Sequence, residues 1–166
     1  MLPELLNEQL RLVDGTIVKK CPTTVKPLYC SKDGRFFSAQ NMQITDKGCI
    51  MHELKPNFNP AKQKSRPNMH SAYPCMRNFG ARLCHHLIYE TWIGPRTKGM
   101  EIDHINGDKM NWSLDNLEEV TRAENCKRAK LLRILRNIGR DPRQMTRDEL
   151  QAIFRQYYFA DPLTIE

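Results

Sequence analysis

Thr121-Arg122-Ala123-Glu124 is a capping box: the threonine hydroxyl takes a backbone N–H of the first helical turn, and the glutamate reaches back to the threonine's own N–H. A helix must begin there, directly behind the short β-type run Leu117–Val120. A second short run, Glu101–His104, lies upstream, and Asn106-Gly107 supplies a turn signal between the two. Residues 101–138 are thereby committed to one order: strand, turn-rich loop, strand, capped helix. Leu131, Leu135 and Ile138 continue one apolar face of that helix, Lys127, Arg128, Lys130, Arg133 and Arg136 occupy the rest, and Gly139 and Pro142 stop it.

The flanks have their own patterns. After an amphipathic start over residues 1–15 come four runs too short for helices, Thr16–Lys20, Pro27–Cys30, Arg35–Ser38 and Ile50–Leu54, separated by turn signals such as Lys32-Asp33-Gly34 and Asp46-Lys47-Gly48. Residues 55–72, rich in Pro, Asn and Lys, read as a basic loop. From Ala81 to Trp92, Leu83, Leu87, Ile88 and Trp92 recur at helical spacing, and Gly94-Pro95 ends the stripe. A last helix starts at Thr146, where Glu149 completes a second capping box and Met145 is placed to staple against Leu150. Its face of Leu150, Ile153, Phe154, Tyr157 and Tyr158 reads as core. The expected class is α+β, with a small β module over 1–72, a ββα core over 73–138 and a helical appendage over 139–166.

With 166 residues the chain is long enough to bury a core without disulfides or metals. Its six cysteines are scattered without a Cys-x-x-Cys pair, and Leu2–Leu12 is interrupted by Glu4, Asn7, Glu8 and Arg11, so no secretory leader is read there. Reduced thiols in a cytoplasmic setting are the expectation. No uncharged apolar run approaches the ~18–20 residues of a membrane span, so a soluble chain is expected. The net charge of +7 points to a polyanionic partner, although charge alone does not separate nucleic acid from an anionic membrane surface. Its distribution is uneven: residues 1–100 carry 15 basic and 7 acidic side chains, residues 101–126 carry 2 and 7, and residues 127–166 carry 9 and 5. An acidic island between basic flanks suits a cation held against a phosphate backbone.

Four polar residues sit at telling places on the ββα pattern: Asp103 and His104 at the end of the first strand, Asn116 before the second, and Asn125 in the first turns of the helix. Phosphodiester hydrolysis needs a water deprotonated, added negative charge on phosphorus stabilised and a poor alkoxide helped to leave. A hard divalent cation answers the last two needs and prefers oxygen ligands, so a carboxylate (Asp103) and a carboxamide oxygen (Asn125) are suitable types. An imidazole with its ordinary pKa of ~6.5 is mostly neutral at physiological pH, which suits His104 to the role of general base. Neighbours on a strand diverge to opposite faces, so one of Asp103 and His104 can reach metal while the other reaches water. Asn116 has donors and acceptors with which to pin the loop or orient the imidazole.

These residues resemble the HNH nuclease family with its ββα-metal motif, in the Asn-ended variant of phage and intron homing endonucleases. Leu83-Cys84-His85-His86-Leu87-Ile88-Tyr89-Glu90-Thr91-Trp92-Ile93 is similar to that family's "HRLVAETFI" helix, and Glu101-Ile102-Asp103-His104-Ile105-Asn106-Gly107-Asp108-Lys109 to its "NHIDGNK" segment. Leu114-Asp115-Asn116-Leu117-Glu118-Glu119-Val120-Thr121 with Asn125 is similar to its "VDNLEWVT…EN" ending, so the likeness runs almost continuously over 83–125. Leu28–Ser38, followed by Leu54-Lys55-Pro56, is similar to the β module that often precedes the nuclease. The resemblance implies Asp103 and Asn125 as ligands of one divalent ion, Mg²⁺ or else Mn²⁺, His104 as general base, Asn116 as the central structural asparagine, and duplex DNA as substrate. For a phage-encoded member the setting is the host cell's cytoplasm. Trp112, Glu119 and His86 depart from the pattern, standing where Asn, Trp and Arg are usual.

Plainer readings stand beside these. Asp103 and Asn116 are common turn residues when taken singly. His85 and His86 read as packed structural histidines, and a zinc site assembled from Cys84, His85, His104 and Cys126 lacks any short cysteine knuckle. Lys55, Lys62, Lys64 and Arg66 in the loop, and Lys127, Arg128, Lys130 and Arg133 on the helix, are expected to touch DNA phosphates, the alternative being solvated faces. The whole chain reads first as a metal-dependent DNA endonuclease. The alternatives are a non-catalytic DNA-binding or regulatory module that keeps the motif's shape, and an RNA-binding accessory protein, which lacks the clustered aromatics of single-strand readers.

Overall fold

The computed structural model describes residues 9–58 and 73–159. The described residues form two compact units, the first lying within residues 1–95 and 109–115, the second within residues 96–108 and 116–166.

In the first unit, β1 (Gln9–Arg11), β2 (Ile17–Lys20), β3 (Leu28–Ser31), β4 (Phe36–Thr45) and β5 (Gly48–Leu54) form an antiparallel sheet in sequence order. Strand alternation gives it two apolar faces. Tyr29 and Phe37 are cross-strand partners and pack with Leu12, Val18 and Cys49, while Leu28, Cys30 and Phe36 point the other way and are wholly buried. Helix α1 (Cys84–Trp92) lies against β2 and β3 and buries Cys84, Leu87 and Ile88. The short hairpin β6 (Cys75–Met76) and β7 (Arg82–Leu83) leads into it, so the helix begins at Cys84 rather than Ala81.

The edges of the sheet meet where Leu12 bridges to Cys49 and Val13 N donates to Cys49 O at 3.1 Å. Gly48 permits this closure: its φ is +134°, and a Cβ there would stand 2.8 Å from Arg11 O. Residues 109–115 dock on the β3–β4 turn through Leu114 N to Lys32 O (2.8 Å) and Trp112 Nε1 to Gly34 O (2.7 Å). Gly34, at φ +95°, is required on two counts, since a Cβ would lie 2.9 Å from the Trp112 ring. Trp112, one of the departures from the family pattern, thus has a structural task.

The second unit is the ββα arrangement. β8 (Met100–His104) pairs antiparallel with β9 (Leu117–Thr121), and α2 (Arg122–Asn137) follows at once with the Thr121/Glu124 capping box fully formed. After a 3-10 turn at Pro142–Gln144 comes α3 (Arg147–Phe159), whose start is fixed by Thr146 N donating to Glu149 Oε2 at 2.7 Å and Glu149 N donating to Thr146 Oγ1 at 3.3 Å. Ile105, Leu131, Leu132, Leu135, Leu150 and Phe154 form one buried core, with Met145, Ile153, Tyr157 and Tyr158 packed on it. Each fully buried side chain of this size contributes about 1.5–3 kcal/mol. Ile138, expected on the apolar face, is 64% exposed, and Leu132 takes its place. Among the described residues no helix is long and apolar enough to cross a membrane. The class is α+β.

These units do not follow the sequence boundaries. Residues 139–158 share a core with α2 instead of standing apart, and residues 109–115 of the β8–β9 connection belong with the N-terminal sheet.

Candidate functional site

β8 ends on His104, which is 4% exposed and lies opposite Leu117 of β9. The chain turns immediately, Gly107 N donating to His104 O at 2.7 Å. Two asparagines lock the turn. Asn116 Oδ1 accepts from Asn106 N (3.1 Å), Asn116 Nδ2 donates to Asn106 Oδ1 (2.9 Å), and Asn116 O accepts from Ile105 N (2.9 Å). Asn106 Oδ1 also takes the N–H of Asp108 at 2.8 Å. Asn116 therefore pins the loop, one of the two roles open to it in sequence. Its partner Asn106 is read there only as a turn signal, although an Asn at such a place forms an Asx turn by the same chemistry.

Asn116 and Asn106 are both buried, so breaking the pair strands donors that water does not reach. Asn116→Ala should cost about 2–3 kcal/mol of stability, read from the midpoint of urea unfolding at unchanged slope. Asn116→Asp, which keeps the acceptor for Asn106 N, should cost less. An unmoved midpoint for the alanine variant would show that the amide pair contributes nothing.

Alternation along β8 sends Glu101 and Asp103 to the face that α2 covers, and Ile102 and His104 to the other. Asp103 is flanked by Arg128, whose Nη1 stands 3.7 Å from Asp103 Oδ2 and 2.6 Å from Glu118 Oε2. Gln151 Nε2 donates to the same Glu118 oxygen at 2.6 Å, and the Phe154 ring lies under the guanidinium at 4.8 Å. Burial pushes the Asp103 carboxyl up to about 6; Arg128 opposes this, while Glu118 and Glu101 add to it. One helical turn nearer the cap, Asn125 Nδ2 donates to Glu101 Oε2 at 2.7 Å, and Arg122 approaches Glu101 Oε1 at 3.6 Å.

The donor set suits a hard cation. Asp103 Oδ2 is buried and accepts no hydrogen bond, and Asn125, on the same side of β8, adds a neutral oxygen. Among the described residues no three His, Cys, Asp or Glu side chains converge on one point. A cation here would rest on few protein oxygens, as suits Mg²⁺, which keeps several of its waters. Arg128 works against it, because a guanidinium already offsets part of the Asp103 charge.

The basic residues divide. Lys127, Lys130 and Arg133 are exposed on α2, Lys127 with its ammonium 5.5 Å from the Tyr158 ring centre, and Lys55 is exposed in the first unit. Arg128 is corrected: only 6% exposed and held by Glu118, it faces the interior and not a DNA backbone. Its position explains this, since residue 128 lies three and four residues before Leu131 and Leu132 on the buried stripe. Lys62, Lys64 and Arg66 lie outside the described residues. Sequence reasoning missed Glu101, Glu118 and Gln151; for Glu101 the signal was its two-residue spacing from Asp103, which puts both carboxylates on one face.

Residues 82–127 match the family model described as HNH endonuclease, a stretch that runs from β7 and α1 through the two strands to the start of α2. No curated protein and no solved structure matches the chain. The matched stretch is the one that carries the ββα arrangement, so residues 82–127 are similar to the HNH endonuclease family in sequence and share its order of two antiparallel strands and a helix.

Proposed function

We propose that the protein is a metal-dependent endonuclease that hydrolyses phosphodiester bonds of double-stranded DNA, as phage homing-type HNH nucleases do. The observation that carries this reading is the end of β8, where a buried histidine and a largely covered carboxylate leave the strand on opposite faces, beside a helix bearing an amide oxygen.

His104 takes the proton of the attacking water. Asn116 and Asn106 hold the turn behind it, so the imidazole is presented from a fixed backbone. Asp103 and Asn125 would hold one divalent ion, Mg²⁺ or Mn²⁺. When bound, that ion supplies Lewis-acid stabilisation of the charge that builds on phosphate and leaving oxygen. Lys127, Lys130 and Arg133, and Lys55 in the other unit, would take backbone phosphates without reading sequence.

A second reading, a DNA-binding module that does not cut, draws on Arg128, whose charge already stands against Asp103. One assay separates the two. Supercoiled plasmid incubated with the protein and Mg²⁺ should be relaxed or linearised, and EDTA should stop the reaction. Plasmid that stays supercoiled while still being retarded in a gel would replace the first reading with the second.

A further inference from the structure

Glu101 has no part in the reaction outlined above, yet its Oε2 accepts a hydrogen bond from Asn125 Nδ2 at 2.7 Å and so fixes that side chain. An amide has two ends of opposite character: Nδ2 only donates, and Oδ1 only accepts or ligates. Rotation by half a turn exchanges them, and an amide presenting Nδ2 holds no cation. A carboxylate only accepts, so whichever end of Asn125 faces Glu101 must be Nδ2. Oδ1, the one atom of that side chain able to bind a metal ion, is then turned away from Glu101.

Backbone geometry makes the contact reproducible. Glu101 sits inside β8, paired with Val120 of β9, and Asn125 sits in the first turns of a helix whose start is held by the Thr121/Glu124 box. Neither element needs to move for the pair to form. Arg122 adds a cation 3.6 Å from the other carboxylate oxygen, Oε1, which leaves Oε2 for the amide. Side chains that orient a ligand in this way are worth about 10–100-fold in metal affinity.

We propose that Glu101 is the positioning residue for Asn125, setting its amide so that Oδ1 is offered to a divalent cation. The inference rests on Asn125 being a cation ligand, as proposed above. It requires Glu101 to act through Asn125 and not by ligating the ion.

Mn²⁺ alone, titrated into the full chain and followed by calorimetry and by the loss of the free-ion electron paramagnetic resonance signal, tests both statements without DNA or turnover. Asn125→Ala should weaken Mn²⁺ binding, and Glu101→Met should weaken it about tenfold or more. Glu101→Gln, which can still turn a carbonyl oxygen to Asn125 Nδ2, should recover much of the loss. In the Asn125→Ala background Glu101→Met should add nothing, because its effect runs through the amide. Losses that add would make Glu101 a ligand itself and overturn the proposal, as would an unchanged affinity for Glu101→Met alongside a weakened Asn125→Ala. Unchanged affinity for Asn125→Ala would instead remove Asn125 as a ligand, and the positioning role would fall with it. Circular dichroism on each variant checks the fold, and if Glu101→Met unfolds, the Gln variant alone and in the Asn125→Ala background carries the same comparison.

Discussion

His104→Ala should slow plasmid cleavage by about 10²–10⁴-fold while leaving DNA affinity within a few-fold of the parent. The rate effect follows from the proposed chemistry: without a base beside it, water attacks with its proton still attached. Affinity is spared because the exposed Lys127, Lys130 and Arg133 lie on α2, whereas His104 ends β8 with only 4% of its surface open. The two quantities are read separately, the rate from single-turnover nicking and the affinity from gel retardation. His104→Gln, which keeps more of the side chain's volume, guards against a packing defect posing as lost chemistry. Cleavage at the parent's rate by either variant would remove His104 as the base.

Asp103→Asn should do two opposite things, ending cation-dependent cleavage and making the cation-free protein more stable at neutral pH. Its carboxyl is held at about 6 against an ordinary 3.8, chiefly because burial disfavours its charged form. An acid whose pKa rises on folding binds its proton more tightly in the folded state. Its contribution is therefore most favourable below about pH 4, declines as pH climbs to about 6, and stays at its lowest above that. The penalty at pH 7.5 is on the order of 3 kcal/mol, and the amide escapes it. In EDTA the variant should melt several degrees higher than the parent at pH 7.5, with the advantage shrinking toward pH 4. An equal or lower melting temperature at pH 7.5 would show that Arg128 fully offsets the buried charge. A protein that gives up stability to keep an ionised, half-satisfied carboxylate is behaving as functional sites do.

Local chemistry made much of the second unit legible. Two capping boxes set the helix starts at Thr121 and Thr146, the Asn106-Gly107 turn separates β8 from β9, and the face of Leu150, Ile153, Phe154, Tyr157 and Tyr158 packs where its period puts it. The four motif residues stand on the elements expected for them. What escaped depends on contacts distant in sequence. β4 runs on to Thr45 because β5 pairs with it past an irregularity between Ser38 and Gln43, and its exposed Gln40, Asn41 and Gln43 give no alternation to read. Arg128 reads as a surface charge by residue type, whereas its place on the buried stripe turns it inward. Its partner Glu118 lies 10 residues upstream, and Gln151, which donates to the same Glu118 oxygen, comes from the following helix, so nothing near Arg128 announces the pairing. Likewise, only the fold shows that Trp112 reaches back 78 residues to Gly34.

The match to the family ends at residue 127, yet the stretch it recognises does not end there as a piece of matter. Ile105, two residues from Asp103, is buried against Leu131, Leu132, Leu135, Leu150 and Phe154, and the arginine beside Asp103 is held from below by Phe154. α3 carries no residue of the motif, but without it a ring of leucines would meet water and a buried cation would lose its floor. What can be cut out, grafted or recombined as a working module is therefore longer than what can be recognised. In this chain it reaches into α3, whose Leu150 and Phe154 share the core of α2 well beyond residue 127, where the family match ends.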